Sequence, residues 1–146
     1  MIINKKAPVI QQDSIFINAD AIRVWSVLAS IVYWPDWNDK IHSIYMEGSA
    51  RVGATFQWRT NGSNIKSTIH TCHINKALGW SGRAFGVKAI HNWYLQPAEY
   101  GTKVFVEESM EGWLVSLFKN KLSRILAKDM NYWLAQLKIE CEKVEQ

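Results

Sequence analysis

The chain has 146 residues, a length that suits one domain with a hydrophobic core of its own. Its net charge of +4 is mild and its basic residues are scattered, so it lacks the basic stripe that nucleic-acid binding uses. The two cysteines, Cys72 and Cys141, are far apart in sequence and are expected to be reduced thiols. No segment reads as a signal peptide or as a membrane span, so we expect a soluble cytoplasmic protein.

The first third of the chain predicts one strand and one helix. Residues 1–10 carry no clear pattern and are expected to be a loose lead-in to a strand over residues 14–18. Asn18 or Asp20 can then cap a helix over about residues 21–30.

A short second helix is predicted over residues 33–38, which are too aromatic for a plain loop. Pro35 suits the first turn of a helix, where its missing N–H has no partner to lose. Trp34 and Trp37 could form an exposed patch there, which is one hypothesis for a protein-interaction surface.

Six more strands are predicted, joined mostly by tight turns. Phe56 and Trp58 alternate with polar residues, and Asn61-Gly62 is a strong hairpin signal. The predicted strands cover about residues 41–47, 55–60, 65–70, 78–84, 87–95 and 102–110, and Gly112 ends the last of them.

A long C-terminal helix is predicted over residues 121–144, after a preliminary turn at residues 113–118. Apolar residues recur there in steps of three and four, which indicates one helix with one buried stripe about 36 Å long. The stripe consists of Leu122, Ile125, Leu126, Met130, Trp133, Leu134, Leu137, Cys141 and Val144.

The order of these elements predicts an α+β protein, a single domain over residues 1–146. One strand, two helices, six strands and one helix (β-α-α-β6-α) favour a curved antiparallel sheet wrapped around the long C-terminal helix. Strands and helices do not alternate, which argues against a parallel sheet.

Several motifs resemble those of one protein group. Residues 24–31 and 34–38 resemble the helix pair near the start of SRPBCC (START-like) proteins of the polyketide cyclase/dehydrase and lipid transport group. That group's W-x-G, H-x-aromatic-x-L-x-P and G-T-x-V-x-x-x-E motifs then follow in order at residues 80–82, 91–97 and 101–108. The resemblance implies a helix-grip fold with a hydrophobic cavity between sheet and helix, but no particular reaction.

Two residues could do acid–base chemistry inside such a cavity. Glu108 shares a strand face with two valines, and His91 lies on the apolar-leaning face of the preceding strand. If these strands pair, both side chains point into the same interior, where a carboxyl group and an imidazole can exchange protons. The alternative is that the two residues simply satisfy each other.

Eight tryptophans in so short a chain could fill the core or line a ligand cavity, and the sequence leaves both open. Arg59 and Arg83 could close the mouth on a ligand carboxylate, although such residues are more often solvated. His70 and Cys72 offer only two metal ligands, so no metal site and no cofactor is predicted. The predicted ligand-binding residues are Trp37, Phe56, Trp58, Ile65, Ser67, Ile69, Trp80, His91, Trp93, Val106, Glu108, Met110, Trp113, Met130 and Trp133.

The leading hypothesis is a protein that binds a small hydrophobic or amphipathic ligand, such as a lipid, a polyketide or an aromatic metabolite. His91, Glu108 and Arg59 would orient the polar group of that ligand. The alternative is a polyketide cyclase/dehydrase-type enzyme that uses the same cavity, with His91 and Glu108 as its acid–base residues.

Overall fold

The computed structural model describes residues 1–144, and its elements follow the predicted order. The strands are β1 (Val9–Ile17), β2 (Ile41–Met46), β3 (Thr55–Thr60), β4 (Ser63–His73), β5 (Ala77–Ala84), β6 (Val87–Ala98) and β7 (Gly101–Glu111). The helices are α1 (Ala21–Ala29), α2 (Trp34–Trp37), α3 (Trp113–Leu117) and α4 (Lys119–Cys141), with one 3-10 turn at Ile31–Tyr33.

All seven strands form one antiparallel sheet in the order β1-β7-β6-β5-β4-β3-β2. The sheet is curved, and its apolar face is buried against α4, which also packs on β1 and α1. Apolar residues alternate along the strands, and the tight turns keep successive strands adjacent, so one face of the sheet needs a cover. The predicted α+β helix-grip architecture is confirmed. Within the described residues no helix is long and apolar enough to cross a lipid bilayer.

Helix α4 buries the predicted stripe but ends earlier than predicted. Leu126, Met130, Trp133, Leu134, Leu137 and Cys141 are its buried residues, whereas Val144 lies beyond its last turn and is 89% exposed. Arg23 of α1 donates hydrogen bonds to the carbonyl oxygens of Glu140 and Cys141. The last turn of a helix has carbonyl groups without partners inside the helix, so these bonds stabilise the C-terminal end at this position.

The first ten residues are not the loose lead-in that the sequence suggested. Strand β1 already begins at Val9, and Ile3 is buried. The backbone N–H of Asn4 donates to Ser109 Oγ at 3.0 Å, and Asn92 Nδ2 donates to the carbonyl oxygen of Met1 at 3.0 Å. The segment therefore lies across the outer face of β6 and β7.

A β-bulge in β4 separates the two residues that could have shared a metal ion. The register with β5 shifts between Ile69 and Thr71, so Cys72 packs against the core. His70 lies on the outer face, where a Cβ atom at Gly79 would be 2.7 Å from the imidazole carbon Cε1. Burial raises the pKa of the Cys72 thiol and raises that of Cys141 to about 12, so neither thiol is activated as a nucleophile.

Candidate ligand-binding cavity

A cavity of about 610 Å³ lies between the sheet and the N-terminal half of α4. This volume is in the range of cavities that hold a drug-sized ligand. The sheet contributes Trp58, Thr60, Ser63, Asn64, Ile65, Ser67, Trp80, Gly82, Arg83, Ala84, Val87, Ala89, His91, Glu108 and Met110, and the turns contribute Asn61, Gly62 and Phe85. Helices α3 and α4 contribute Leu114, Leu122, Ile125, Leu126, Asp129, Met130 and Trp133.

Three tryptophan rings form much of the wall, and an aromatic cluster supports them from behind. Trp58, Trp80 and Trp133 line the cavity, and each packs against the buried ring of Trp34, at centroid distances of 5.7, 5.2 and 5.0 Å. Trp58 Nε1 donates to Ser67 Oγ at 3.0 Å. Since that indole N–H already has a partner, the wall around Trp58 presents mainly its apolar ring to a ligand.

His91 and Glu108 face the same interior, as predicted from the sequence, and the structure pairs them directly across β6 and β7. His91 Nδ1 is hydrogen-bonded to Glu108 Oε1, and the two side chains are 10% and 12% exposed. The imidazole stacks on Trp80 with a centroid distance of 4.6 Å and an interplanar angle of 20°. The neighbouring Glu107 faces outward and accepts hydrogen bonds from Asn92 and Tyr94. One carboxyl group is thus placed at the cavity and the other on the outer surface.

The second imidazole nitrogen of His91 takes no part in the pair with Glu108. Nε2 is buried and has no hydrogen-bond partner among the described residues. An ionised carboxylate can only accept, so the bond to Glu108 places the proton of a neutral imidazole on Nδ1 and leaves the lone pair on Nε2. Both His91 and Glu108 line the cavity, but in this arrangement the lone-pair nitrogen of His91 is buried.

A hydrogen bond between a hairpin and α4 borders the mouth of the cavity. Asn61 and Gly62 form the β3–β4 turn with φ of +51° and +73°, as the predicted Asn-Gly turn requires. Asn61 Nδ2 donates to Asp129 Oδ2 at 2.5 Å, and Lys40 Nζ lies 3.9 Å from Asp129 Oδ1. Arg83 lies at the rim, whereas Arg59 is exposed and does not line the cavity.

The structure brings part of the predicted ligand-binding set together. The residues of that set that line the cavity are Trp58, Ile65, Ser67, Trp80, His91, Glu108, Met110, Met130 and Trp133. The core takes up Phe56, Ile69, Trp93 and Val106, which do not line it. Trp37 borders a separate shallow groove between α2 and α4, and Trp113 is 59% exposed on the surface.

The hypothesis of an exposed Trp34–Trp37 patch is wrong. Trp34 is 0% exposed and Trp37 is 8% exposed. Trp34 Nε1 donates to the carbonyl oxygen of Leu28 at 2.9 Å, so even the polar atom of that ring is satisfied inside the protein. The α2 turn folds inward because both rings bury a large apolar area there.

Sequence reasoning missed the small residues that leave the space open. On the inward faces of β5 and β6, bulky residues such as Trp80 and Trp93 occupy one end, and Gly82, Ala84 and Ala89 occupy the other. Their inward positions follow from strand alternation alone, so the sequence did carry this signal. The N-terminal half of α4, including Leu122 and Ile125, covers the same end.

Comparisons with solved structures give the fold. A START superfamily protein from Mycobacterium smegmatis has 13% sequence identity and a TM-score of 0.79, covering 91% of this chain and 97% of that chain. A hypothetical protein from Helicobacter pylori has 14% identity and a TM-score of 0.85, covering 94% and 90% of the two chains. The Zhui aromatase/cyclase from Streptomyces sp. R1128 has 12% identity and a TM-score of 0.79, covering 91% and 93%.

No protein-family model matches the sequence, and no curated protein matches it. The structural likeness extends over nearly the whole chain and includes the seven-stranded sheet and the long last helix. The chain therefore has the START-like helix-grip fold.

Proposed function

We propose that this protein binds a small hydrophobic or amphipathic molecule in the cavity between the sheet and α4. The observation that carries the proposal is a cavity of about 610 Å³ that tryptophan, methionine and aliphatic side chains line together with polar groups, among them the carboxyl groups of Glu108 and Asp129. Apolar surface removed from water supplies roughly 25 cal/mol per Å². The free thiols of Cys72 and Cys141 fit the cytoplasmic location that we also propose.

The polar groups of the cavity favour a ligand with a hydroxyl group over one with a carboxylate. Glu108 can accept a hydrogen bond from a ligand hydroxyl while its other oxygen holds His91. The indole rings of Trp58, Trp80 and Trp133 offer flat surfaces on which an aromatic ring can stack. A phenolic polyketide or aromatic metabolite has both a hydroxyl group and an aromatic ring. A fatty acid would instead place its carboxylate at Arg83 on the rim.

Titration with two probes tests the proposal. Naringenin, a phenolic flavonoid, and oleate are added separately while tryptophan emission and the heat of binding are followed. We expect a saturable change in emission with at least one probe, because three of the eight indoles line the cavity. The absence of saturable binding for both probes, with no small molecule in native mass spectra of protein from its own host, would refute a binding function.

Glu108→Gln is expected to weaken naringenin binding by roughly tenfold while changing the free energy of unfolding by less than about 1 kcal/mol. Hydrogen bonds to a charged group are worth about 1.5–3 kcal/mol, and glutamine keeps the shape but loses the charge. Calorimetric titration and urea unfolding measure the two quantities.

The matched control for this change is Glu107→Gln. It makes the same chemical change one residue away, on the outer face, where Glu107 is held by Asn92 and Tyr94. We expect this control to leave naringenin binding unchanged. If Glu108→Gln left the affinity intact and lowered stability strongly, Glu108 would be a structural residue.

A polyketide cyclase/dehydrase activity is the second candidate, favoured by the His91–Glu108 pair at the cavity wall. One structural neighbour is named as an aromatase/cyclase. The buried Nε2 of His91 argues against it, since a general base must come within hydrogen-bond reach of the proton that it removes. Turnover of a polyketide substrate with a bell-shaped pH–rate profile, lost in His91→Ala, would decide for the enzyme.

A further inference from the structure

Four large apolar side chains are exposed beside the mouth of the cavity. Phe85 in the β5–β6 turn is 82% exposed, and Trp113, Leu117 and Phe118 are 59%, 67% and 48% exposed. We call these four residues the mouth patch. The rings of Phe85 and Trp113 meet edge to face at 5.4 Å, and Phe85 itself lines the cavity. A cluster of exposed apolar side chains on a protein surface is typical of an interaction site.

Trp113 of the mouth patch differs from the other tryptophans of the chain. Within residues 1–144 Trp113 is the only exposed tryptophan, and the other seven are buried or half-buried. The backbone N–H of Leu114 donates to the carbonyl oxygen of Gly86 at 3.2 Å, which fixes α3 against the β5–β6 turn. The exposed rings are therefore held in place by the fold and do not lie on a free segment.

Basic residues adjoin the mouth patch along the chain. Lys119, Lys121 and Arg124 follow it directly on α4, and Arg83 precedes the β5–β6 turn. All four are exposed, and none forms an ion pair with another residue in the described range 1–144. Residues 112–128 contain no aspartate or glutamate, and Asp129, which follows them, lies 3.9 Å from Lys40 Nζ. The nearest acidic side chain before them, Glu111, is already hydrogen-bonded to Asn4.

We propose that the mouth patch docks the protein onto the surface of an anionic lipid bilayer. Tryptophan and phenylalanine partition into the headgroup region, where an indole keeps its N–H in a polar layer and its ring in an apolar one. Lysines and arginines next to such rings are attracted by anionic headgroups, and each of them raises the affinity for the membrane about fivefold. The exposed aromatic rings suit the headgroup layer of such a bilayer, and the basic residues next to them suit its negative charge.

A second copy of this chain fits the mouth patch less well. Closed dimers use the same surface on both subunits, so the basic residues of one copy would face the basic residues of the other. Like charges facing each other oppose association. An anionic bilayer instead supplies the opposite charge to all four basic residues. Docking would also bring the mouth of the cavity to the lipid headgroups.

Binding of the whole protein to vesicles tests this inference without any cavity ligand, so its outcome is separate from that of the proposed function. Vesicles of phosphatidylcholine alone are compared with vesicles that also contain phosphatidylserine, by co-sedimentation and by quenching of tryptophan emission with brominated acyl chains. The difference in quenching between the original protein and Trp113→Phe gives the part that comes from Trp113. We expect binding to the anionic vesicles only, weakened by salt because charges at an exposed surface are screened.

Two sets of variants assign the binding to the mouth patch. Lys119→Gln with Lys121→Gln is expected to weaken binding by about twenty-five-fold, the product of two factors of about five. The matched control is Lys76→Gln with Lys103→Gln, which removes the same charge at the opposite end of the sheet, in the β4–β5 turn and at the start of β7. Trp113→Ala is expected to weaken binding by about tenfold or more, since it removes buried apolar area at the interface.

The control for Trp113→Ala is Tyr100→Ala in the β6–β7 turn, at the opposite end of β6, where Tyr100 is 77% exposed. Leu117→Ser serves as a second variant if Trp113→Ala folds poorly. The inference would be overturned by absent vesicle binding, or by binding that the mouth-patch variants and their controls weaken equally. A dimer seen by sedimentation equilibrium and abolished by Trp113→Ala would overturn it too, by assigning the patch to a second copy.

Discussion

Trp34→Ala is expected to lower the free energy of unfolding by about 3–5 kcal/mol, a large share of the stability of a domain of this size. Trp34 is 0% exposed and lies at the centre of the aromatic cluster, with ring contacts to Phe56, Trp58, Trp80 and Trp133 at 5.0–5.7 Å. Its removal opens a void behind the cavity wall and leaves the carbonyl oxygen of Leu28 without its donor. Urea unfolding followed by far-UV circular dichroism measures the change.

Two variants separate packing from hydrogen bonding. Trp34→Phe keeps an aromatic ring but loses the Nε1 donor, so we expect an intermediate loss of stability. Trp113→Ala makes the same change as Trp34→Ala at a side chain that is 59% exposed, and should cost less than about 1 kcal/mol. Equal losses for Trp34→Ala and Trp113→Ala would show that the aromatic cluster does not hold this fold together.

The sequence predicted that His91 and Glu108 face the same interior because side chains alternate along each of two consecutive strands. Strands β6 and β7 are joined by two residues, and Ala98 pairs with Gly101. Counting back along both strands brings His91 opposite Glu108. Strand alternation is a local property that can be read from a single sequence, whereas the turn is shorter in the structure than the predicted turn over residues 97–101.

The distribution of the tryptophans could not be predicted in the same way. Strand alternation places Trp58, Trp80 and Trp93 on the inner face of the sheet, but it does not say how far along the sheet the space is filled. Trp93 is fully buried, whereas Trp80 keeps a surface on the cavity. The β4 bulge, which moved Cys72 to the core side, is likewise a tertiary feature without a sequence signal in the strand itself.

The size of the cavity depends on where small residues lie. Gly82 and Ala89 are paired neighbours on the inner face of β5 and β6, and both line the cavity. Met130 and Trp133 of α4 pack in one core cluster with the inward residues of the sheet. These two side chains keep α4 from moving closer to Gly82 and Ala89. The open volume is therefore set by the absence of side chains at a few inward positions, which makes it accessible to mutation.

Ala89→Phe is expected to weaken binding of naringenin or oleate at least tenfold while leaving the free energy of unfolding within about 1 kcal/mol of the original. A phenyl ring at this position points into the cavity and occupies space that a ligand needs. It buries apolar surface of its own, which offsets the strain that added bulk causes in a packed core. Calorimetric titration of both probes and urea unfolding measure the two effects.

Ile90→Phe is the matched control, because it adds a ring at the next residue on the outer face, where Ile90 pairs with Ser81 and Ser109. We expect it to leave the affinity for both probes unchanged. If Ala89→Phe kept full affinity in a folded protein, the probes would bind outside the cavity. If both variants weakened binding equally, the loss would come from a general disturbance of β6. A loss confined to Ala89→Phe would tie binding to the open volume beside Trp80 and Trp133.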